Sequence, residues 1–104
     1  MTFHDEEIVG LHHNKKRLTV TFHNQILELD GVEYWELTPF EWQNVIFEVK
    51  FFKIQDVPNH ILAEYSWVKN YQKLVYLNLM EIDSSVGLRG VVVFENKSIK
   101  ENIK

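Results

Sequence analysis

The feature that most constrains the fold is an Asp30-Gly31 step between two runs of alternating apolar and polar residues. Leu27 and Leu29 alternate with polar neighbours before the step, and residues 32–35 resume the pattern directly after it. An Asp-Gly pair between such runs is typical of a two-residue β-hairpin, because both turn residues must accept a positive φ. The sequence therefore predicts a hairpin here and a chain organised around antiparallel strands.

Alternation of the same kind continues along most of the chain. Leu18, Val20 and Phe22 share one face of a short run whose other face is threonine, as expected of a half-buried strand. Pro39 ends the first series of strands, because proline cannot donate to a ladder. The expected strands are residues 8–13, 18–22, 26–29, 32–37, 45–54, 74–82 and 88–95, with turns at 14–17, 23–25 and 83–87.

One segment has helical periodicity. Its apolar residues are spaced three, four and seven apart, which is typical of one buried helix face; they are Ile61, Leu62, Tyr65 and Val68. The pattern predicts a helix over 59–71, with a strand through 63–68 as the alternative. Trp67 lies off the apolar stripe of that helix.

These elements indicate an α+β, mostly β, fold. We expect a single domain over 1–104, built as a strongly curved antiparallel sheet or a small sandwich with one helix near 59–71. The C-terminal segment 96–104 is rich in Lys, Asn, Ser and Glu. It either frays or docks through Ile99 and Ile103.

Composition narrows the classes of protein. The chain has no cysteine, which excludes disulfide scaffolds and thiolate zinc sites. Its net charge is −4, with the excess of acids in the N-terminal half. Nucleic acid is therefore not the expected partner, whereas a basic protein partner is compatible. Without a basic-then-apolar leader or a long apolar run, we expect no membrane span and a cytoplasmic location.

Histidines are the candidates for a metal or catalytic site. His12 and His13 are adjacent, so in a strand they point to opposite faces and cannot chelate one ion together. His4-Asp5 places a carboxylate beside an imidazole, an arrangement that enzymes and metal sites use. These two residues with another histidine are the alternative site. The spacing of the remaining carboxylates favours a solvated sheet face, so we predict no cofactor and no catalytic residue.

Aromatic residues are the candidates for a binding surface. They lie together in and after the fourth expected strand, at Tyr34, Trp35, Phe40 and Trp42. Consecutive Tyr34 and Trp35 must face opposite sides of a sheet. Either the helix and the tail cover the second side, or exposed rings there act as interface anchors.

Three stretches resemble a known group of small bacterial proteins. The chain opens with a His-Asp element in 3–8, continues with Gly31-Val32 and an aromatic strand leading to 43–46, and closes with 81–90 followed by 91–93. This layout is similar to bacterial proteins of unknown function, some of which are grouped with immunity proteins of polymorphic toxin systems. The resemblance implies an α+β or mostly β domain without a cofactor.

The sequence thus favours non-catalytic protein binding. Its sharpest form is an immunity-type protein that covers a basic toxin domain. The alternatives are a small enzyme or a metabolite- or metal-binding protein that uses His4 and Asp5, and a homodimer or larger homo-oligomer that pairs through sheet edges.

Overall fold

The computed structural model describes residues 6–39 and 45–101, apart from the side chains of 45–47 and 85–86. Eight strands are present in this part of the chain: β1 (Ile8–Asn14), β2 (Arg17–Phe22), β3 (Gln25–Asp30), β4 (Tyr34–Leu37), β5 (Val45–Lys53), β6 (Asn78–Val86), β7 (Gly90–Phe94) and β8 (Asn96–Glu101). A helical segment between β5 and β6 contains a 3-10 turn (Ile54–Asp56), helix α1 (Asn59–Glu64) and a 3-10 helix (Ser66–Tyr71).

The strands form two antiparallel four-stranded sheets. Sheet 1 has the order β1-β2-β3-β8, and sheet 2 has the order β4-β7-β6-β5. One core cluster lies between the sheets and includes Leu18, Val20, Phe22, Leu27 and Leu29 from sheet 1 and Met80, Ile82, Val92 and Phe94 from sheet 2. The prediction of a mostly β domain of the α+β class is confirmed, and of the two architectures expected the packed sheets correspond to the small sandwich.

The Asp30-Gly31 hairpin prediction is wrong. Gly31 has the expected positive φ of 64°, yet β3 pairs with β2 and β8, while β4 pairs with β7. The chain therefore passes from sheet 1 to sheet 2 at this glycine and does not turn back on itself. An Asp-Gly step indicates that the chain can adopt a positive φ at this point. A hairpin turn is only one of the structures that require a positive φ, and a β-bulge is another.

The structure that uses Gly31 is a bulge in a long bent ribbon. Before Gly31 the register pairs Asp30 with Asn96, and after it the register pairs Tyr34 with Val93. The two registers are offset by one residue. Gly31 and Val32 thus lie opposite the single residue Glu95, as in a bulge whose first residue is a left-handed glycine. Such a bulge bends a strand, and here it lets β3-β4 and β8-β7 contribute to both sheets.

The second face of sheet 2 packs against the helical segment. A second core cluster joins Leu79, Val91 and Val93 of the sheet to Ile54, Ile61, Tyr65 and Val68 of the segment. As a result every residue of β7 is buried. The molecule has three layers, namely sheet 1, sheet 2 and the helical segment.

The helix expected over 59–71 is only partly α-helical. Helix α1 ends after Glu64, and Tyr65 leaves helical geometry with φ −121° and ψ 69°. The four apolar residues of the stripe still face sheet 2. Their spacing therefore gave the buried side correctly, while the tighter 3-10 turns after Tyr65 place Trp67 against β4.

Two further boundaries differ from expectation. The strand expected at 74–82 begins at Asn78 and runs to Val86, because Leu77 N–H donates to Leu74 in a turn (2.9 Å). The turn expected at 83–87 is therefore mostly strand. Residues 96–101 do not fray but form β8 along β3, and Ile99 packs against the inter-sheet core.

Candidate protein-binding face

The structure describes two of the predicted site residues. Tyr34 and Trp35 are consecutive on β4, the terminal strand of sheet 2, and they point to opposite sides as the alternation predicts. Tyr34 faces the helical layer, and Trp35 packs against the inter-sheet core. The other four predicted site residues lie outside the described residues; they are Phe40, Trp42, His4 and Asp5.

Tyr34 begins a row of three stacked rings. Its ring meets Trp67 edge to face with centroids 4.8 Å apart, and Trp67 meets Tyr71 in the same way at 5.9 Å. We call Tyr34, Trp67 and Tyr71 the aromatic row. Tyr34 remains 51 % exposed, so a large part of its surface is in water although its orientation is fixed by a neighbour. Such a ring is a ready anchor for a partner.

Trp35 lies on the opposite side of the same strand, against the inter-sheet core. Its ring meets the His13 imidazole edge to face, with centroids 4.6 Å apart. A cleft of about 440 Å³ lies beside it and is lined by His13, Val32, Glu33, Tyr34 and Trp35. Both predicted aromatics of β4 therefore border this opening, with Tyr34 at its outer side and Trp35 as part of the core.

An acidic face continues from the aromatic row along sheet 2. We define it as the side chains of Glu36, Glu48, Glu64, Glu81 and Asp83. Four of them lie on the helix-side face of the sheet by register, because Glu36 pairs with Val91, Val91 with Glu81, and Glu48 with Asp83. Glu64 joins them from the end of α1.

The ladder places two acids directly opposite each other. Glu48 and Asp83 are cross-strand partners, a like-charge arrangement that destabilises a sheet slightly. Glu36 stands two residues from Tyr34 and accepts a hydrogen bond from the Trp67 indole N–H (2.9 Å). The same carboxylate thus fixes the central ring of the aromatic row and belongs to the acidic face.

Cations compensate only part of this charge. Glu48 has Lys50 at 3.5 Å and Glu64 has Arg89 at 3.1 Å. Five carboxylates against these two permanent cations leave three negative charges in excess. The His60 imidazole approaches Glu81 at 3.2 Å.

A small cleft lies on this face between β4 and the end of α1. It has a volume of about 140 Å³ and is lined by Glu36, Leu37, Thr38, Glu64, Tyr65 and Arg89. The hydrogen bond from Arg89 to Glu64 raises the pKa of the guanidinium. Burial raises the pKa of the Tyr65 phenol, and the charge of Glu64 acts in the same direction. Arg89 is therefore held as a cation at the rim.

The sequence pattern indicates Tyr34 as a candidate but does not indicate most of its neighbours in the structure. Trp67 and Tyr71 were assigned to the expected helix, and Glu81 and Asp83 were assigned to a strand and a turn. The irregular position of Trp67 outside the apolar stripe was the one local signal that it faced something else. The acidic face depends on strand register, which no local pattern shows.

The histidines are distributed over separate parts of the structure. His13 contacts Trp35, His23 approaches Glu7 at 3.3 Å, and His60 approaches Glu81. Among residues 6–39 and 45–101 no three His, Asp or Glu side chains are grouped so that they could hold a metal ion.

Comparisons with known proteins give no assignment. No protein-family model matches the chain, and no curated protein or solved structure shows significant similarity to it. In the part of the chain that the structure describes, no helix has both the length and the apolar character needed to cross a membrane.

Proposed function

We propose that this chain is a non-catalytic protein-binding domain, and that its aromatic row and acidic face together dock onto a basic protein. The observation that supports this most is Tyr34, half exposed and stacked on Trp67 at the border of an acidic surface. The two features have complementary roles in recognition. Aromatic rings supply affinity at the centre of an interface, and surrounding charge supplies steering and selectivity.

The aromatic row is organised before any partner arrives. Trp67 is held by Tyr34, Tyr71 and the Glu36 carboxylate. Ordering a mobile aromatic side chain on binding costs free energy that a pre-stacked ring does not lose. Tyr34 and Trp67 are therefore the expected anchors, and Trp35 supports them from the core side of β4.

The excess of carboxylates determines the kind of partner. A surface with three uncompensated negative charges attracts a positively charged surface and repels an acidic one. Proteins that act on nucleic acids present such positive surfaces, because they neutralise phosphates with Lys and Arg. The most specific form of this proposal is an immunity-type function, in which the acidic face would cover the basic active surface of a toxin domain.

The test is capture from a lysate of the native host with three tagged proteins. Wild type is compared with Tyr34→Ala and with a matched control, Thr19→Ala, on the outer face of sheet 1. We expect one stoichiometric protein with a basic sequence, retained by wild type and control and lost by Tyr34→Ala. Capture that is equal for all three proteins, or a partner with an acidic sequence, would contradict the proposal.

Self-association is the competing outcome and is measured on the same samples. Light scattering of the wild type at rising concentration reports whether a second copy occupies the face. Because both copies would present the same acidic surface, we expect a monomer at low ionic strength. A dimer dispersed by Tyr34→Ala would replace the proposed basic partner with a second copy.

A further inference from the structure

A third cleft lies where the edges of the two sheets meet, away from the acidic face. It has a volume of about 410 Å³ and includes Phe51, Lys53, Asn78, Phe94, Asn96 and Lys97 in its lining. It lies beside the bulge at Glu95, where the chain passes from β7 of sheet 2 to β8 of sheet 1. Its volume falls in the range of small-molecule sites.

The floor of this cleft is aromatic. Phe51 and Phe94 meet edge to face with centroids 6.3 Å apart. Phe94 is fully buried, and Phe51 packs against the inter-sheet core while remaining partly accessible. An apolar planar group entering the cleft would thus meet the face of one ring supported by another.

The rim of the cleft is cationic, in contrast to the acidic molecule around it. Lys97 pairs with Leu29 in register and so faces the interior side of sheet 1. Its ammonium lies 3.8 Å from the centroid of the Phe51 ring. Within the described ranges neither Lys97 nor Lys53 forms an ion pair, whereas Lys100 on the same strand does.

One acid also lines the cleft, and it does not cancel both cations. The residue is Glu95, whose carboxylate lies against Gly31, so even when it is counted the two lysines leave one positive charge in excess. The Glu95 backbone is already used, since its carbonyl accepts from the Asn78 amide (2.8 Å) and its N–H donates to Asp30 (2.9 Å). The cleft therefore combines an aromatic floor with a net positive rim.

We propose that this cleft binds a small aromatic carboxylate. The ring of the ligand lies against Phe51, and its carboxylate pairs with the ammonium groups of Lys97 and Lys53. The Lys97 ammonium moves from the face of Phe51 to the ligand, exchanging a cation–π contact for a charge-assisted hydrogen bond. This site is independent of the acidic face and of the protein-binding function proposed above.

The test is a titration followed by amide chemical shifts, with benzoate as the probe and benzamide as its uncharged isostere. We expect saturable shifts confined to residues 51–53, 78 and 94–97, and roughly tenfold weaker binding of benzamide, as for loss of one charge-assisted contact. Lys97→Gln should weaken benzoate binding by a similar factor. Lys69→Gln, an exposed lysine on the 3-10 helix, is the matched control and should leave it unchanged.

Several results would overturn this inference. Equal binding of benzoate and benzamide would remove the role of the lysines, and shifts scattered over the surface would remove the site. Absence of saturation at millimolar benzoate, combined with self-association of Lys97→Leu, would assign Lys97 to protection of the free edge of β8. An inward-pointing charge on an edge strand has that effect in other sheets.

Discussion

The outer face of sheet 1 and the acidic face of sheet 2 are both charged, but their charges are arranged differently. On sheet 1, Arg17 contacts Asp30 at 2.7 Å and Glu28 at 3.2 Å, and Lys100 contacts Glu28 at 2.8 Å. Two cations thus balance two anions across three adjacent strands. On the acidic face, four acids of sheet 2 and Glu64 of α1 share two permanent cations, and Glu48 lies directly opposite Asp83.

This difference separates a solvated surface from a candidate interface. On sheet 1 the charged side chains neutralise one another, and the uncharged Thr19 and Ser98 lie beside Glu28 in register. On the acidic face Glu36 lies beside the half-exposed Tyr34 ring and accepts from the partly buried Trp67, so charge and apolar surface coincide there. A like-charge pair costs some stability in the free protein, which a basic partner would recover on binding.

The largest expected effect comes from the residue that holds β4 in place. Gly90 has φ 142°, and a Cβ added there would collide with the Glu36 carbonyl oxygen. Gly90→Ala should lower the free energy of unfolding by about 2 kcal/mol or more, since both backbone strain and steric overlap oppose it. Urea denaturation measures the loss, and exchange of β4 amides should increase more than that of sheet 1. An unchanged denaturation midpoint would show that β4 does not require this close approach.

The second effect concerns affinity for the captured partner. Tyr34→Ala should weaken binding by about 2 kcal/mol, or roughly 30-fold in Kd, as for an aromatic hot spot. Its stability should fall less than that of Trp35→Ala, which removes a ring packed on the core. Calorimetry of binding and of unfolding separates the two residues. Equal loss of stability would mean that Tyr34 is structural.

The third effect isolates charge. Glu36→Gln with Asp83→Asn should slow association with a basic partner by about tenfold at low ionic strength and much less at high salt. The matched variant Glu28→Gln with Asp30→Asn on sheet 1 removes the same number of charges and should leave the association rate unchanged. Stopped-flow or surface binding kinetics at two salt concentrations provide the comparison. Equal slowing by both variants would mean that net charge alone determines the rate.

The smallest effect is a pH dependence of stability from sheet 1. The hydrogen bond from Lys100, with the charge of Arg17 acting in the same direction, lowers the pKa of Glu28 below its usual 4.5. A carboxyl with a depressed folded pKa stabilises the fold above its unfolded pKa, and the contribution is lost as pH falls through the folded value. Above about pH 4.5 the free energy of unfolding of wild type should therefore exceed that of Glu28→Gln, by about 1 kcal/mol or less for such an exposed network. This difference should disappear as the pH falls below about 4.5. Parallel acid-denaturation curves would contradict this.

Local patterns predicted elements better than their partners. Alternation located most strands, and the spacing of Ile61, Tyr65 and Val68 gave the buried side of the helical segment. The Asp30-Gly31 step gave the positive φ but the wrong pairing, because β3 and β8 are far apart in sequence and meet only in the fold. Pairing between distant segments depends on the whole set of contacts, which a local pattern does not contain.

The candidate site shows the same division. Tyr34 could be named as a candidate from composition and alternation, because both are local to one strand. Glu36, Glu81 and Asp83 become neighbours through the registers of β4, β7 and β6. Their common charge could be read only after the sheet was assembled.

The most direct test of the central claim is a map of the surface that the captured partner covers, obtained by NMR cross-saturation of the bound chain. Binding through the aromatic row and the acidic face predicts saturation transfer to β4, to residues 64–71 and to 81–89, with none to β2 or β3. Transfer confined to the outer face of sheet 1, with Tyr34 and Trp67 unaffected, would contradict it.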